Sequence, residues 1–283
     1  MKFVTDPNAL PNTSVLQFFK SVIKNRHLVN QMTKRDVVGR YRGSFIGIGW
    51  SFLHPLLMLA VFTFVFSAVF QMRWGVPING QEEGKGVFAI VLFIGLIIHS
   101  FLAEILTRSP SLIVSNTNYV KKVIFPLEIM PWVSVLSALI HASISIIVWL
   151  FAYLLLIGIP GWQVVFLPLV MIPLITLALG VAYLLASLGV FMRDIGQTMG
   201  VISSVLLFLS PVFFPLERLP EQFQTYFLLN PLTFMIQQAR EVLIWKSLPD
   251  FYGLIIYMLV ASLVFLLGFT WFQKTRKGFA DVL

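Results

Sequence analysis

Four ionisable side chains lie within long hydrophobic stretches of the sequence: His54, His99, Glu104 and His141. Ionisable groups in apolar segments are costly to bury and are candidates for function. Metal binding or acid–base catalysis would require several of them to converge on one point. His99 and Glu104 are five residues apart and do not share a helix face, whereas Glu104 and Arg108 can pair at a separation of four. We therefore expect histidines that are satisfied by neighbouring helices, and no metal site.

Cysteine and phosphate-binding chemistry are also disfavoured by the sequence. The 283 residues include no cysteine, which excludes disulfide bonds, thiol nucleophiles and cysteine metal ligands. The string most similar to a nucleotide phosphate loop is NGQEEGKG (79–86). It has Asn79 where the first glycine belongs and Gly86 where serine or threonine belongs. We predict that no cofactor binds directly to the chain.

The segment NTNYVKKVIFPLEIMP (116–131) concentrates charge between two hydrophobic runs. It sets Lys121 beside Lys122 and encloses Glu128 between Pro126 and Pro131. Tyr119 and the lysines offer an aromatic anchor and two cations to an acidic partner surface. The lysines also suit a loop retained on the cytoplasmic side of a membrane. Docking and topology therefore both stay open as explanations of the lysine pair.

The elements that carry these residues are predicted to cross a membrane. The chain is 58% hydrophobic and only 11% charged, whereas a soluble domain carries about 25% charged residues. Six apolar runs approach or exceed the ~20 residues that a spanning helix needs, and helices satisfy their own backbone in lipid. The predicted fold is one all-α integral membrane domain over residues 1–283, with spans at about 45–70, 86–107, 130–157, 164–191, 196–215 and 251–272.

The distribution of Lys and Arg predicts the orientation. With the N-terminus in the cytoplasm, fifteen of the twenty Lys and Arg residues fall on the inner side of the six spans. This arrangement places both termini in the cytoplasm and accounts for the net charge of +8 without nucleic acid. The 116–131 segment then lies in the cytoplasm as well.

Two further segments are predicted to lie outside the spans on the cytoplasmic side. Residues 14–32 form a basic amphipathic pattern that favours a helix lying in the membrane interface. An ordinary surface helix is the alternative. Arg40 and Arg42 follow it and can reach lipid phosphates. Arg193 and Asp194 form the next cytoplasmic turn, where Asp194 can cap the fifth span or contact a partner.

Residues 216–246 are predicted to form a re-entrant hairpin before the last span. The segment is too apolar for a free loop, and its prolines prevent a continuous span. A first helix is expected at 219–229. A second begins at Pro231 with Asn230 as its cap, and its apolar stripe is Leu232, Met235, Ile236, Ala239 and Leu243. The position of the segment after the fifth span makes it a candidate outer gate, although two interfacial helices are the alternative. The candidate gate residues are Gln222, Tyr226, Asn230, Pro231, Gln238 and Arg240, and positions 222 and 240 are expected to be accessible from outside.

Aromatic side chains are candidates for the lining of a transport channel. Phe62, Phe66 and Phe70 repeat every four residues in the first span, and Phe213 and Phe214 end the fifth. Lipid-facing or packing roles are the ordinary explanation. Flat apolar faces could also line a pore that binds its cargo weakly enough to release it. Trp74, Trp162 and Trp245 suit an outer interfacial belt.

Five separated motifs resemble one family. KRDVVGRYRGSFIGIGWSFLHPLL (34–57), the 116–131 segment, GVFMRDIGQ (189–197), LSPVFFPLERLPEQFQTYFLLNPLTFMIQQARE (209–241) and GFADVL (278–283) occur in order. Together they resemble the permease subunits of bacterial ABC transporters that export O-antigen, teichoic acid or capsule polysaccharide. In the 116–131 segment the resemblance rests on Asn118, Lys121, Lys122, Phe125, Pro126 and Pro131.

The resemblance implies a homodimer of permeases in the bacterial inner membrane that works with two copies of a separate ATPase, and ATP and Mg²⁺ would be held by that ATPase. The substrate would be a lipid-linked polysaccharide, O-antigen first, and membrane lipids would surround the protein. A coupling helix before Glu128 would seat in the ATPase, with Arg193 and Asp194 as a second contact. Spans 1 and 5 would line the channel. An exporter of drugs or small lipids, and a membrane-bound glycosyl- or acyltransferase, remain the alternatives.

Overall fold

The computed structural model of the chain describes residues 21–71, 73–74, 86–121 and 125–283. Over these residues the protein is helical and contains no strand. The string 79–85, Lys122 and the first part of the predicted interfacial helix, residues 14–20, lie outside the described residues. The helices are α1 (Arg26–Gly39), α2 (Trp50–Phe62), α3 (Val87–Arg108), α4 (Thr117–Lys121), α5 (Ile129–Leu156), α6 (Leu167–Phe191), α7 (Ile195–Phe208), α8 (Glu221–Leu228), α9 (Pro231–Arg240), α10 (Phe251–Thr275) and α11 (Phe279–Val282).

Five helical stretches of the described chain are long and apolar enough to cross a membrane. They are Gly47–Phe66, Val87–Ser111, Ile129–Leu156, Trp162–Phe191 and Phe251–Val282. The predicted fifth span, 196–215, differs: its helix α7 ends at Phe208, and a turn containing Pro211 and Pro215 follows. Hydrophobicity continues through this turn, but proline cannot continue the helix. The count of six spans therefore stays a prediction.

Helix α3 forms the centre of the bundle. Most of its side chains are buried, because α2, α5, α7 and α9 pack around it. Trp149 of α5 donates its indole N–H to the carbonyl of Ile90 over 3.0 Å. Helices α6 and α10 pack together on one side, where a Cβ on Gly180 would lie 2.6 Å from the backbone of Phe265. Small residues at such crossings let two backbones approach closely.

Helix α1 packs on the end of α5 and turns the chain into the first span. Val29 and Met32 are buried against Ile129 and Val133. The observed helix continues to Gly39, seven residues beyond the predicted end, because Val37 is also buried. A turn at Gly43 (φ 86°), which glycine adopts readily, then leads towards α2.

The hairpin segment contains the two predicted short helices. Helix α8 begins at Glu221, directly after Pro220, and α9 begins at Pro231 with the Asn230 side chain accepting from Leu232 N–H over 2.9 Å. This confirms the predicted cap. The predicted apolar stripe of α9 is fully buried: Leu232, Met235, Ile236, Ala239 and Leu243. A π-helical turn, Glu241–Trp245, continues α9.

Candidate functional site

The predicted docking helix is the five-residue helix α4. Asn118 and Lys121 are exposed on it. Tyr119 stacks on Phe125 at 4.5 Å between ring centroids, and its hydroxyl accepts a hydrogen bond from Arg35 of α1 over 2.9 Å. Tyr119 thus ties α4 to α1, and the polar side chains of Asn118 and Lys121 are left exposed.

Glu128 joins three parts of the chain. Its carboxylate accepts hydrogen bonds from Ser21 Oγ at 3.0 Å and from Arg276 Nη1 at 3.1 Å. Its backbone carbonyl accepts from the Tyr183 hydroxyl of α6. The predicted contact of Glu128 with a partner is untested, and in the structure its carboxylate serves internal contacts. Pro131 lies in the first turn of α5 and Pro126 in the turn before it.

The turn after α6 lies beside the same end of the bundle. Arg193 and Asp194 are exposed. The prediction that Asp194 caps the following helix is wrong, because its side chain makes no capping hydrogen bond. Helix α11 packs against α4 and α6, with Phe279 buried 6.0 Å from Phe191. We call the exposed residues of this region the docking face: Asn118, Lys121, Arg193, Asp194 and Asp281.

A charged cluster links α1 to the spans at this end. Arg108 donates to Asp36 over 2.7 Å and to Glu104 over 3.3 Å, so the predicted pair of Glu104 and Arg108 is confirmed. Glu104 also accepts from Arg40 and from His141 Nδ1, the latter at 3.1 Å. Arg40, predicted to reach lipid phosphate, is thus bound within the chain.

The remaining residues of these predictions lie apart from the cluster. Arg42 is exposed. His99 donates from Nε2 to the carbonyl of Ser203 over 3.0 Å, as expected for a histidine satisfied by a neighbouring helix. The described residues contain no group of three or more His, Asp or Glu side chains that could hold a metal.

A cavity of about 660 Å³ lies between α2, α3 and α5. Its polar end carries Arg40, Glu104 and His141, and its walls towards the bundle centre carry apolar side chains that include Phe62 and Phe93. The cavity therefore connects the charged cluster with the first of the predicted channel phenylalanines.

The three phenylalanines of the first span form a continuous row. The ring centroids of Phe62, Phe66 and Phe70 are 6.1 Å apart at each step. Phe213 joins the row 6.2 Å from Phe66, whereas Phe214 packs on Phe227 of α8 at 5.8 Å. The structure thus brings four of the five predicted channel residues together. Phe70 is 64% exposed, so this end of the row lies on the surface of the chain.

The predicted gate residues divide into two groups. Gln222 and Tyr226 are exposed on α8, and Pro231 is half-buried. Asn230, Gln238 and Arg240 are buried, which corrects the expectation that position 240 is accessible from outside. Burial follows because α9 inserts between α3, α6 and the turn after α7.

Arg240 is the centre of the buried group. Its guanidinium donates to the carbonyls of Val91 (3.2 Å), Pro211 (2.6 Å) and Val212 (3.0 Å). The cation also lies 4.4 Å over the ring of Trp74. Trp74 is 5% exposed, so it is a buried partner of Arg240 and the prediction of an interfacial belt position is wrong for it.

Comparison with known proteins decides the family. Residues 27–244 match the ABC-2 type transporter family. The chain belongs to the ABC-2 type transporter family. It is 25% identical over 274 residues to the O-antigen export system permease protein RfbA of Myxococcus xanthus, covering 94% of this chain and 99% of that protein. It is 26% identical over 256 residues to an RfbA of Klebsiella pneumoniae (89% and 93%) and 22% over 263 residues to the capsule polysaccharide export inner-membrane protein CtrC of Neisseria meningitidis (92% and 96%).

Membership fits the helical architecture. A transporter family and several apolar helices make this a multi-pass membrane protein. In this ABC-2 transporter, sequence reasoning missed the internal role of Glu128, the buried position of Arg240 and the contact of the C-terminal helix with α4. GFADVL entered the sequence analysis only as part of the resemblance, and no contact was predicted for it.

Proposed function

We propose that the protein is the permease of an ABC exporter that moves a lipid-linked polysaccharide, O-antigen in the first place, outward across the bacterial inner membrane. The observation that carries this proposal is the similarity over nearly the full length to chains named as O-antigen export permeases. Chains named for capsule and polysialic acid export also match, which supports a polysaccharide substrate.

A homodimer with two ATPase subunits is the proposed assembly. The docking face offers two cations, one amide and two carboxylates, all exposed at one end of the bundle, as groups that pair across an interface must be. Only 17% of the first span is buried within the chain. Phe64, just after α2, is 65% exposed, and Phe208 of α7 is 66% exposed. These apolar surfaces suit a channel shared between two copies.

Six crossings with both termini in the cytoplasm are proposed for each copy. Helix α7 has only 14 residues, but the segment 195–212 runs alongside α3 and the turn that follows it. At one end Gly196 lies near Pro110. At the other end the carbonyls of Val91 and Val212 both accept hydrogen bonds from Arg240. Val91 and Pro110 are 19 positions apart, which corresponds to about 28 Å of helix, close to the ~30 Å hydrocarbon core. The turn after Phe208 completes the crossing that the helix begins.

The hairpin of α8 and α9 is proposed as the outer gate. At its tip, the backbone carbonyl of Pro231 accepts a hydrogen bond from the Tyr257 hydroxyl over 2.9 Å. Two turns later, the side chain of Gln238 accepts a hydrogen bond from the backbone N–H of Asp250, the residue that caps α10. The tip therefore lies about 10 Å deeper along α10 than the end of α9. A segment that enters and returns in this way is tolerated where protein or a water-filled cavity surrounds it.

Accessibility to a thiol reagent tests the hairpin and the topology. Single cysteines at Gln222 and Tyr226 are expected to react with a membrane-impermeant reagent added from outside, because both residues are exposed. A cysteine at Lys277, which is exposed at the cytoplasmic end, serves as the matched control and should react only after permeabilisation. Labelling of Gln222 only from the cytoplasmic side would contradict the six-span arrangement.

Deletion of the gene tests the function. The expected result is loss of one surface polysaccharide and accumulation of its lipid-linked form inside the cell. Plasmid-borne wild-type protein should restore the polymer at the surface. An unchanged surface polysaccharide profile, together with altered sensitivity to drugs, would replace the proposal with export of small molecules.

A further inference from the structure

A second cavity, of about 250 Å³, lies between α9 with its π-helical continuation, the turn after α7 and Trp74. Trp74, Gln238 and Arg240 form its buried base, and Glu217, Gln237, Glu241 and Trp245 form its partly exposed wall. Its position near Val91, at the opposite end of α3 from α4, places it on the outer side in the proposed topology. It is distinct from the 660 Å³ cavity and from the row of phenylalanines.

The base of this cavity is rigid. Arg240 is bound to three backbone carbonyls and covers the Trp74 ring. The Gln238 side-chain oxygen accepts from Asp250 N–H over 2.7 Å, which leaves its amide nitrogen as a donor. Groups that are held in place before a ligand arrives lose little conformational entropy on binding.

The chemistry of the wall suits a hydroxyl-rich ring. Two carboxylates accept O–H groups, the Gln237 amide both donates and accepts, and the Gln238 amide donates. The Trp245 indole offers a flat apolar face. The volume is below the ~300–1,000 Å³ of a pocket for a drug-sized ligand and corresponds to about eight water molecules. One sugar ring fits this size, and a longer oligosaccharide does not.

The charges of the cavity select against an acidic ring. Glu217 and Glu241 bring two negative charges, while the single cation, Arg240, is already engaged by carbonyl oxygens and an indole face. We propose that this cavity is a subsite for one neutral pyranose unit of the transported polymer. The inference rests on the proposed function for the identity of the polymer.

The cavity is also adjacent to the row of phenylalanines. Trp74 lies 5.4 Å from Phe88, and Phe88 lies 5.5 Å from Phe66. The cavity therefore lies two ring contacts from the row, close to the proposed path of the polymer. A weak site at this point would hold the emerging chain between transport cycles and still release it.

Saturation-transfer NMR on the purified full-length permease in lipid nanodiscs tests the site. The probes are the methyl pyranosides of glucose, galactose, mannose and N-acetylglucosamine, with glucuronate as the acidic comparison. At least one neutral pyranoside should bind saturably and more tightly than glucuronate. Trp245→Ala should raise its half-saturating concentration about tenfold, since an aromatic contact is worth up to about this factor.

Two variants keep the test independent of misfolding. Glu217 is exposed, and Glu217→Ala should weaken neutral pyranoside binding about fivefold through the lost hydrogen bond. Trp162→Ala changes an exposed tryptophan outside the cavity and should leave binding unchanged. The subsite is overturned if no neutral pyranoside binds saturably, if glucuronate binds as well, or if the three variants bind equally. The proposed function fails separately, if gene deletion leaves every surface polysaccharide intact.

Discussion

Arg276 donates a hydrogen bond to the carboxylate of Glu128 over 3.1 Å and thereby joins the end of α10 to the turn that precedes α5. The same carboxylate accepts from Ser21 Oγ. Glu128 is thus the point where the two ends of the described chain meet the segment that carries α4. A force applied to α4 by a partner would pass to α1, α5 and α10 together because one side chain connects them.

Loss of the carboxylate at position 128 should weaken the coupling of ATP hydrolysis to export more than it weakens folding. Glu128→Gln keeps the size of the side chain but removes its charge, so the bond to Arg276 loses its ionic contribution. We expect ATPase co-purification to persist while polysaccharide export per ATP hydrolysed falls several-fold. Glu221→Gln, an exposed glutamate on α8, is the control. Equal export by the two variants would contradict a coupling role for Glu128.

The lysine pair should contribute mainly to recruitment of the ATPase. Replacement of Lys121 and Lys122 by glutamate reverses the charge of Lys121 on the docking face and of its neighbour in sequence, and like charges across an interface repel an acidic partner. Membrane insertion should be retained, because many other cytoplasmic Lys and Arg residues remain. Co-purification of tagged permease with the ATPase and membrane-fraction abundance are the two measurements. A parallel loss of both would leave only the topological role of the lysines.

Local sequence patterns predicted elements whose ends depend on nearby residues. The Asn230 cap, the proline start of α9 and its apolar stripe followed from side chains within one or two turns of each other. The end of α7 was misplaced because apolar composition continued past Phe208, although Pro211 and Pro215 were visible. The burial of Arg240 could not be foreseen, since its acceptors are carbonyls on α3 and on the turn after α7, about 150 and 30 residues away in sequence.

Acid should release α1 from the end of α3. Burial raises the pKa of Asp36, but the hydrogen bond and the charge of Arg108 outweigh burial and hold the pKa below its ordinary 3.8. A pKa that is lower in the folded state than in the unfolded state stabilises the folded protein at higher pH. This stability is lost as the pH falls from the unfolded-state pKa through the folded-state pKa. Between pH 6 and pH 3 the midpoint of thermal unfolding should therefore fall more steeply for the wild type than for Asp36→Asn. Asp281→Asn, at an exposed aspartate, should follow wild type; parallel curves for all three would contradict the prediction.

A single methyl group at the crossing of α6 and α10 should destabilise the bundle. The Cβ of Gly268→Ala would collide with the carbonyl oxygen of Gly180, which is backbone and cannot rotate away. Overpacking of this kind costs about 1–3 kcal/mol. Gly200→Ala in α7 is the matched control, because no atom lies within 4 Å of its new Cβ. Thermal unfolding in detergent should separate the two variants, and equal midpoints would show that the helices adjust without cost.

Arg240 should be irreplaceable by lysine. Its guanidinium serves the carbonyls of Val91, Pro211 and Val212 at once, and a lysine ammonium lacks the planar fork that reaches several acceptors in fixed directions. Arg240→Lys leaves one or more buried carbonyls without a donor, at a cost of about 2–4 kcal/mol. The turn after α7 would then separate from α3, and the proposed outer gate would leak. We expect a lower unfolding midpoint together with entry of a small membrane-impermeant dye into cells.

Arg218→Lys is the matched control, since Arg218 is exposed and donates to the carbonyl of Arg73 on the surface. A lower midpoint without dye entry would restrict Arg240 to a structural role, and equal behaviour of both variants would show that the three carbonyls find other donors.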